Sequence, residues 1–167
     1  MTMDTITFVA NVALTLSFIV ALIFGVAQVR AAARDRRERL TLEALRGFQT
    51  REYAELIQFV VSHEMPATRK DFDALPVSDQ VLFLQVSQSM EMLGLLVAEH
   101  YIDADLVERT LGTFVTTAWE KLQTMVLALR PTDPYMNEYL QWLADGIERR
   151  MSQQPRKPFY ELKVPLS

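Results

Sequence analysis

Apolar and polar positions divide the chain into an unbroken apolar opening and a longer part where apolar residues return every three or four positions. Between Asp4 and Arg30 lie 25 consecutive uncharged residues, Thr5 to Val29, dominated by Val, Leu, Ile, Ala and Phe. As a helix rising ~1.5 Å per residue this run would extend roughly 37 Å, against a hydrocarbon core of ~30 Å. A helix satisfies its own backbone donors and acceptors in lipid, so the run predicts one transmembrane helix over 5–29, with residues 1–4 outside. A cleaved signal peptide would need a basic flank before a shorter apolar core. Here the preceding flank carries only Asp4, and the core is about twice too long.

Residues 30–47 hold no Pro and no Gly before Gly47 and are rich in Ala, Arg, Glu and Leu, which predicts that the helix continues as a basic stalk. Thr50 is positioned to cap a second helix to about Ser62, with Tyr53, Leu56, Ile57, Val60 and Val61 on its apolar face. Pro66 and Pro76 bracket an aperiodic connection, read as loop with at most a short turn. Ser78 then reads as the cap of a helix whose face is Val81, Leu82, Val86, Met90, Leu93, Leu96 and Val97. Asp103 or Asp105 starts the longest soluble helix. It keeps its rhythm from Val107 through Phe114, Trp119 and Leu122 to Leu129. Asp133-Pro134 reads as the start of a last helix carrying Tyr135, Tyr139, Leu140, Trp142, Leu143 and Ile147. The fold class expected is all-α: a membrane helix, a stalk, a small antiparallel bundle over 48–150, and an extended proline-containing tail over 151–167.

Charge orients this arrangement. Arg30, Arg34, Arg36, Arg37 and Arg39 face only Asp35 and Glu38, so this collar carries +3. Positive flanks stay on the cytoplasmic side, which places the N-terminus outside, the bundle in the cytoplasm, and the five arginines at lipid headgroups. With Asp4 and the collar set aside from the chain's −4, residues 40–167 carry −6. Such an acidic domain is no nucleic-acid binder. The absence of cysteine excludes disulfides, zinc-thiolate sites and cysteine nucleophiles.

Within the membrane helix Ala13, Ser17, Ala21 and Gly25 recur every four residues. Small residues let helices approach closely in lipid, so this stripe is the candidate contact with another membrane protein or with a second copy. In the tail, Phe159, Tyr160 and Leu162 are candidate anchors for docking on the bundle or on a partner. Met90, Met92 and Met125 with Trp119 read either as ordinary core filling or as an adaptable groove.

Candidate chemistry is sparse. His63 and His100 fall at helix ends, where the dipole alone favours them. Counted from Asp71 or Asp103, a calcium loop would need glycine at Pro76 or Glu108, so neither acidic pair completes one. Phosphate-loop, zinc-protease, nucleophile-elbow and kinase motifs are missing, and no cofactor or small-molecule substrate is implied.

Glu91-Met92-Leu93-Gly94-Leu95-Leu96-Val97, followed by Tyr101-Ile102-Asp103, Leu106-Val107, Leu111-Gly112 and Trp119-Glu120, resembles a prokaryotic family known only as a domain of unknown function. The resemblance implies one N-terminal membrane helix, a charged stalk and a small cytoplasmic helical domain. It is sharpest from Met92 to Glu120, omits the Pro66–Pro76 segment and the tail, and implies no activity. The expectation is therefore a non-enzymatic membrane accessory, scaffold or assembly subunit. A tethered sensor that relays change through its stalk is the alternative, and a tethered enzyme a distant third.

Overall fold

The computed structural model describes residues 3–162, and among them the chain forms helices and connecting turns only. It divides into two units, Met1–Leu40 and Thr41–Ser167.

The first unit is the greater part of α1 (Met3–Gly47), helical throughout its described length. From Thr7 to Arg36 every residue is exposed. Apolar side chains such as Phe8, Leu14, Phe18, Leu22, Ile23 and Phe24 project outward with nothing of their own unit to bury them.

The second unit is a helical bundle. α2 (Arg51–Ser62) begins at Thr50, whose hydroxyl accepts the Tyr53 N–H at 3.2 Å. Its buried face is Tyr53, Leu56, Phe59 and Val60. Val61 is exposed, because the stripe follows Phe59–Val60 and Val61 lies one step round the helix. Between the prolines lies a short helix, α3 (Arg69–Asp73), closed by a capping box. Asp71 N–H donates to the Thr68 hydroxyl, and the Asp71 carboxylate receives the Thr68 N–H. Phe72 reaches from it into the core against Phe83, ring centroids 5.4 Å apart.

α4 (Val77–Ala98) starts behind Pro76, and Ser78 lies inside its first turn instead of capping it. Proline's fixed φ makes the entry without a side-chain acceptor. Phe83, Val86, Ser87, Met90, Leu93, Gly94 and Val97 are buried, whereas Val81 is exposed. The chain leaves α4 through His100 in the left-handed region at φ 59°. Tyr101 N–H donates to Leu96 O at 2.9 Å and His100 N–H to Val97 O at 3.0 Å, the paired bonds of a Schellman turn.

α5 (Ala104–Leu129) is capped by Asp103, whose carboxylate accepts from Asp105 and Leu106. Asp103 N–H in turn donates to the hydroxyl of the buried Thr41, near the end of α1, at 3.0 Å. α6 (Glu138–Gln153) starts later than the Asp133-Pro134 signal suggests. The Asp133 side chain is spent on a turn, accepting the Tyr135 N–H, and Tyr135 is left exposed. The α4–α6 contact is the most extensive, and α5 and α6 run antiparallel, since the end of α6 at Arg150 meets the start of α5 at Asp105 while Arg130, just past α5, meets Gln141 near the start of α6. Val60, Met90, Leu93, Val107, Val115, Leu122, Val126 and Leu140 form the core, each contributing about 1.5–3 kcal/mol on burial.

Thr7–Gly47 and Val77–Ala98 are both long and apolar enough to cross a membrane. The first is unburied in its most apolar window, and the second is one-third buried there.

Candidate functional site

The densest polar construction in the bundle joins α4 to the start of α6. Ser87, Glu91 and Gly94 stand four and three residues apart, on the side of α4 that meets α6. Asn137 turns the chain into α6 with φ 51°, a conformation asparagine tolerates better than most residues. Its amide donates to Ser87 O at 3.2 Å and its side-chain oxygen accepts from the Ser87 hydroxyl at 2.9 Å. Asn137 makes no cap bond to its own helix. The Glu91 carboxylate caps it from α4, accepting Tyr139 N–H at 3.2 Å and Leu140 N–H at 2.9 Å. This negative charge sits at the positive end of the α6 dipole. Beside it, a Cβ on Gly94 would collide with the Tyr139 carbonyl.

Arg130 closes the same corner from α5. Its guanidinium donates to Met136 O at 3.1 Å, to Asn137 O at 3.4 Å and to the Gln141 side chain, and it lies 5.8 Å from the Trp119 ring centroid. These polar groups bind backbone and one another, which makes the assembly a clamp. The bonds it makes all lie within the fold.

At the opposite end of α6, Arg150 bonds to Asp105 and Glu108, and these two hydrogen bonds raise its pKa further. A cleft of about 340 Å³ lies next to them, floored by Val97, Leu143 and Ile147 and walled by the half-exposed Trp142. Two grooves flank α4 on its outer side. One, about 490 Å³, runs between α4 and α2 past Gly47, Phe48, Tyr53 and Met92; the other, about 560 Å³, lies toward α6 and includes Leu84, Met92, Tyr135 and Tyr139.

Tyr53 packs edge-on against Phe48 and Phe114, and its hydroxyl finds no hydrogen-bond partner among the described residues. Burial pushes its pKa well above the ordinary tyrosine value. His63 stacks on Phe59, with Nδ1 3.2 Å from the Phe59 carbonyl. No group of three metal-ligating side chains occurs among the described residues. The aspartates that open the two incomplete calcium-loop patterns serve instead as a capping-box partner and a helix cap.

Ala13, Ser17, Ala21 and Gly25 are exposed along α1, and a Cβ at Gly25 would meet open space. Arg30, Arg34, Arg36 and Arg39 are exposed and Arg37 is half-buried. Of the residues read either as core filling or as an adaptable groove, Met90, Met125 and Trp119 are core filling, and Met92 faces out. Residues 155–158 have no regular structure, a single 3-10 turn covers Phe159–Glu161, and Tyr160 is 82% exposed with Leu162 also exposed. The Phe159 side chain and residues 163–167 lie outside the described residues, as do residues 1–2 and the side chains of 4–6.

The clamp is not legible from local sequence because its bonds join residues some 50 positions apart. The signal was present in the stretch from Glu91 to Asp103, whose Glu91 and Gly94 hold α6 and whose last residues make the Schellman turn and the α5 cap.

No curated protein and no solved structure matches the chain. The family model for a domain of unknown function, DUF4760, matches residues 15–147, from within α1 through the Pro66–Pro76 segment to the last buried residue of α6, Ile147. With four-fifths of its length matched, including the whole clamp, the chain belongs to the DUF4760 family.

Proposed function

We propose that the chain is a non-enzymatic, single-pass protein of a bacterial inner membrane, an accessory or assembly subunit that contacts other membrane proteins or a second copy of itself. The observation that carries this reading is the wholly exposed apolar run of α1 from Thr7 to Val29, a surface that water would penalise and lipid would cover. The collar Arg30, Arg34, Arg36, Arg37 and Arg39 lies at the inner headgroups, with the acidic bundle in the cytoplasm. The stripe Ala13, Ser17, Ala21 and Gly25 meets a neighbouring membrane helix. Tyr160 and Leu162, which are exposed, are free to meet a partner, and Phe159 is the third candidate contact of the tail.

The test is fractionation with topology mapping. The intact chain should remain in membranes through an alkaline wash, and a C-terminal tag should resist protease added to spheroplasts but not to lysed cells. Recovery of the unprocessed chain as a soluble species, or cleavage of the tag from outside, would overturn the reading. Replacing Ala21 and Gly25 with leucine should weaken association of the membrane helices by on the order of 1 kcal/mol or more.

A second reading has its own support. The bond from Asp103 N–H to Thr41 ties the far end of α1 to the start of α5, the contact a stalk would use to pass a change into the bundle. A sensor of this kind would alter its output when residues are inserted within Arg34–Leu42, whereas a passive anchor would tolerate them.

A further inference from the structure

We infer that the outer face of α4 is a self-complementary surface on which a second copy of this chain docks, bundle to bundle. The inference deepens the proposed interaction role and rests on it.

Helix α4 is apolar nearly all round, a pattern that belongs to helices covered on every side. Its inner side is covered by the bundle. Its outer side presents Val77, Val81, Leu84, Gln85, Gln88, Met92, Leu95 and Leu96, with no formal charge among them, on a domain whose net charge is negative. Two copies of such a domain repel each other least through this face.

Size supports a protein partner. Val77 (75% exposed), Val81, Leu84, Met92 (55%) and Tyr135 (73%) together show on the order of 600 Å², the top of the range for the largest patch on a monomer. Gln85, Gln88 and the partly exposed Leu95 and Leu96 bring the face close to the ~800 Å² per partner of a standard interface.

Shape and chemistry select a second copy. Leu84, Gln88, Met92 and Leu96 make an i, i+4 ridge, and the two grooves lie on either side of it. A two-fold dimer requires one patch to offer both ridge and groove, and this face does. Gln88 stands near the midpoint of the face, where a two-fold axis would bring it to its own copy. An amide both donates and accepts, so it pairs with itself. Lipid would be the poorer cover, because Gln85 and Gln88 would sit unsatisfied in hydrocarbon.

The chain has no native cysteine, so a single introduced one reports proximity without background. In native membranes and in mild detergent, full-length Gln88→Cys should oxidise to a covalent dimer, while the control Glu120→Cys, exposed on α5, should not. Adding Met92→Glu or Leu84→Glu, both at exposed positions, should abolish the cross-link and halve the protein mass measured by light scattering, with the circular dichroism of a folded bundle retained. A Gln88→Cys dimer yield no greater than the control, or a cross-link indifferent to both glutamates, would overturn the proposal. The same assay with Ala21→Leu and Gly25→Leu separates the two surfaces. Persistence of the Gln88→Cys cross-link there supports docking through α4 even if the membrane stripe proves to contact only lipid. Its loss there, with the bundle folded, would overturn the bundle surface as a docking site in its own right.

Discussion

Gly94 on α4 lies so close to the carbonyl of Tyr139 on α6 that a single methyl group cannot be placed between them. The obstacle is backbone held by the Glu91 cap, which cannot swing aside as a flexible side chain would. Gly94→Ala should therefore force α6 away from α4 and destabilise the bundle by about 1–3 kcal/mol despite alanine's better helix propensity. Denaturant unfolding in detergent, followed by circular dichroism, measures the loss; an unchanged midpoint would refute the close approach.

Glu91 carries the α6 cap with both carboxylate oxygens. Glu91→Ala strands two amides and should cost about 1–2 kcal/mol, whereas Glu91→Gln keeps one acceptor and should cost roughly half as much. Hydrogen exchange adds a local readout, since the Tyr139 and Leu140 amides should lose protection before the rest of α6 does.

His100 occupies the left-handed position of the α4 Schellman turn, where glycine is free of the Cβ penalty. His100→Gly should raise stability by up to about 1 kcal/mol, and His100→Val should lower it. The pair of melting temperatures tests whether the left-handed backbone governs what this position tolerates.

Tyr53 buries a hydroxyl without a partner among the described residues. Burial raises its pKa, so the folded chain holds the proton at pH values where the unfolded chain releases it. The associated stability is fully present below the ordinary tyrosine value of about 10 and is lost as pH climbs beyond it. Tyr53→Phe should leave stability unchanged or higher at pH 7 and should flatten the decline above pH 10. Urea midpoints across pH 7–11 test both parts.

Much of this architecture is visible in the sequence where the causes are local. Thr50 and Asp103 cap the helices they precede, Gly47 ends α1, and the rhythm of α5 marks its core. Failures occur where a distant group or the local backbone takes over. Asp133-Pro134 has the chemistry of a helix start, yet α6 begins at Glu138 because a carboxylate on α4 supplies the cap. Ser78 gives way to the fixed backbone of Pro76. Periodicity alone could not orient α4, whose apolar residues occupy every side. The rhythm points Val81 inward and passes over Phe83, whereas packing exposes Val81 and buries Phe83. The same ambiguity hid the outer face. The stripe on α1 is plain in sequence, but what it touches is a property of another molecule.

The hydroxyl of Thr41 accepts the amide at which α5 begins, from a position six residues before α1 ends. A recombinant fragment trimmed to Gly47, where the first helix visibly stops, would discard that acceptor and leave the Asp103 amide without it. Crystallisation or NMR work on the water-soluble portion would do better with a start site upstream of residue 41, retaining the final turns of a helix that otherwise looks dispensable.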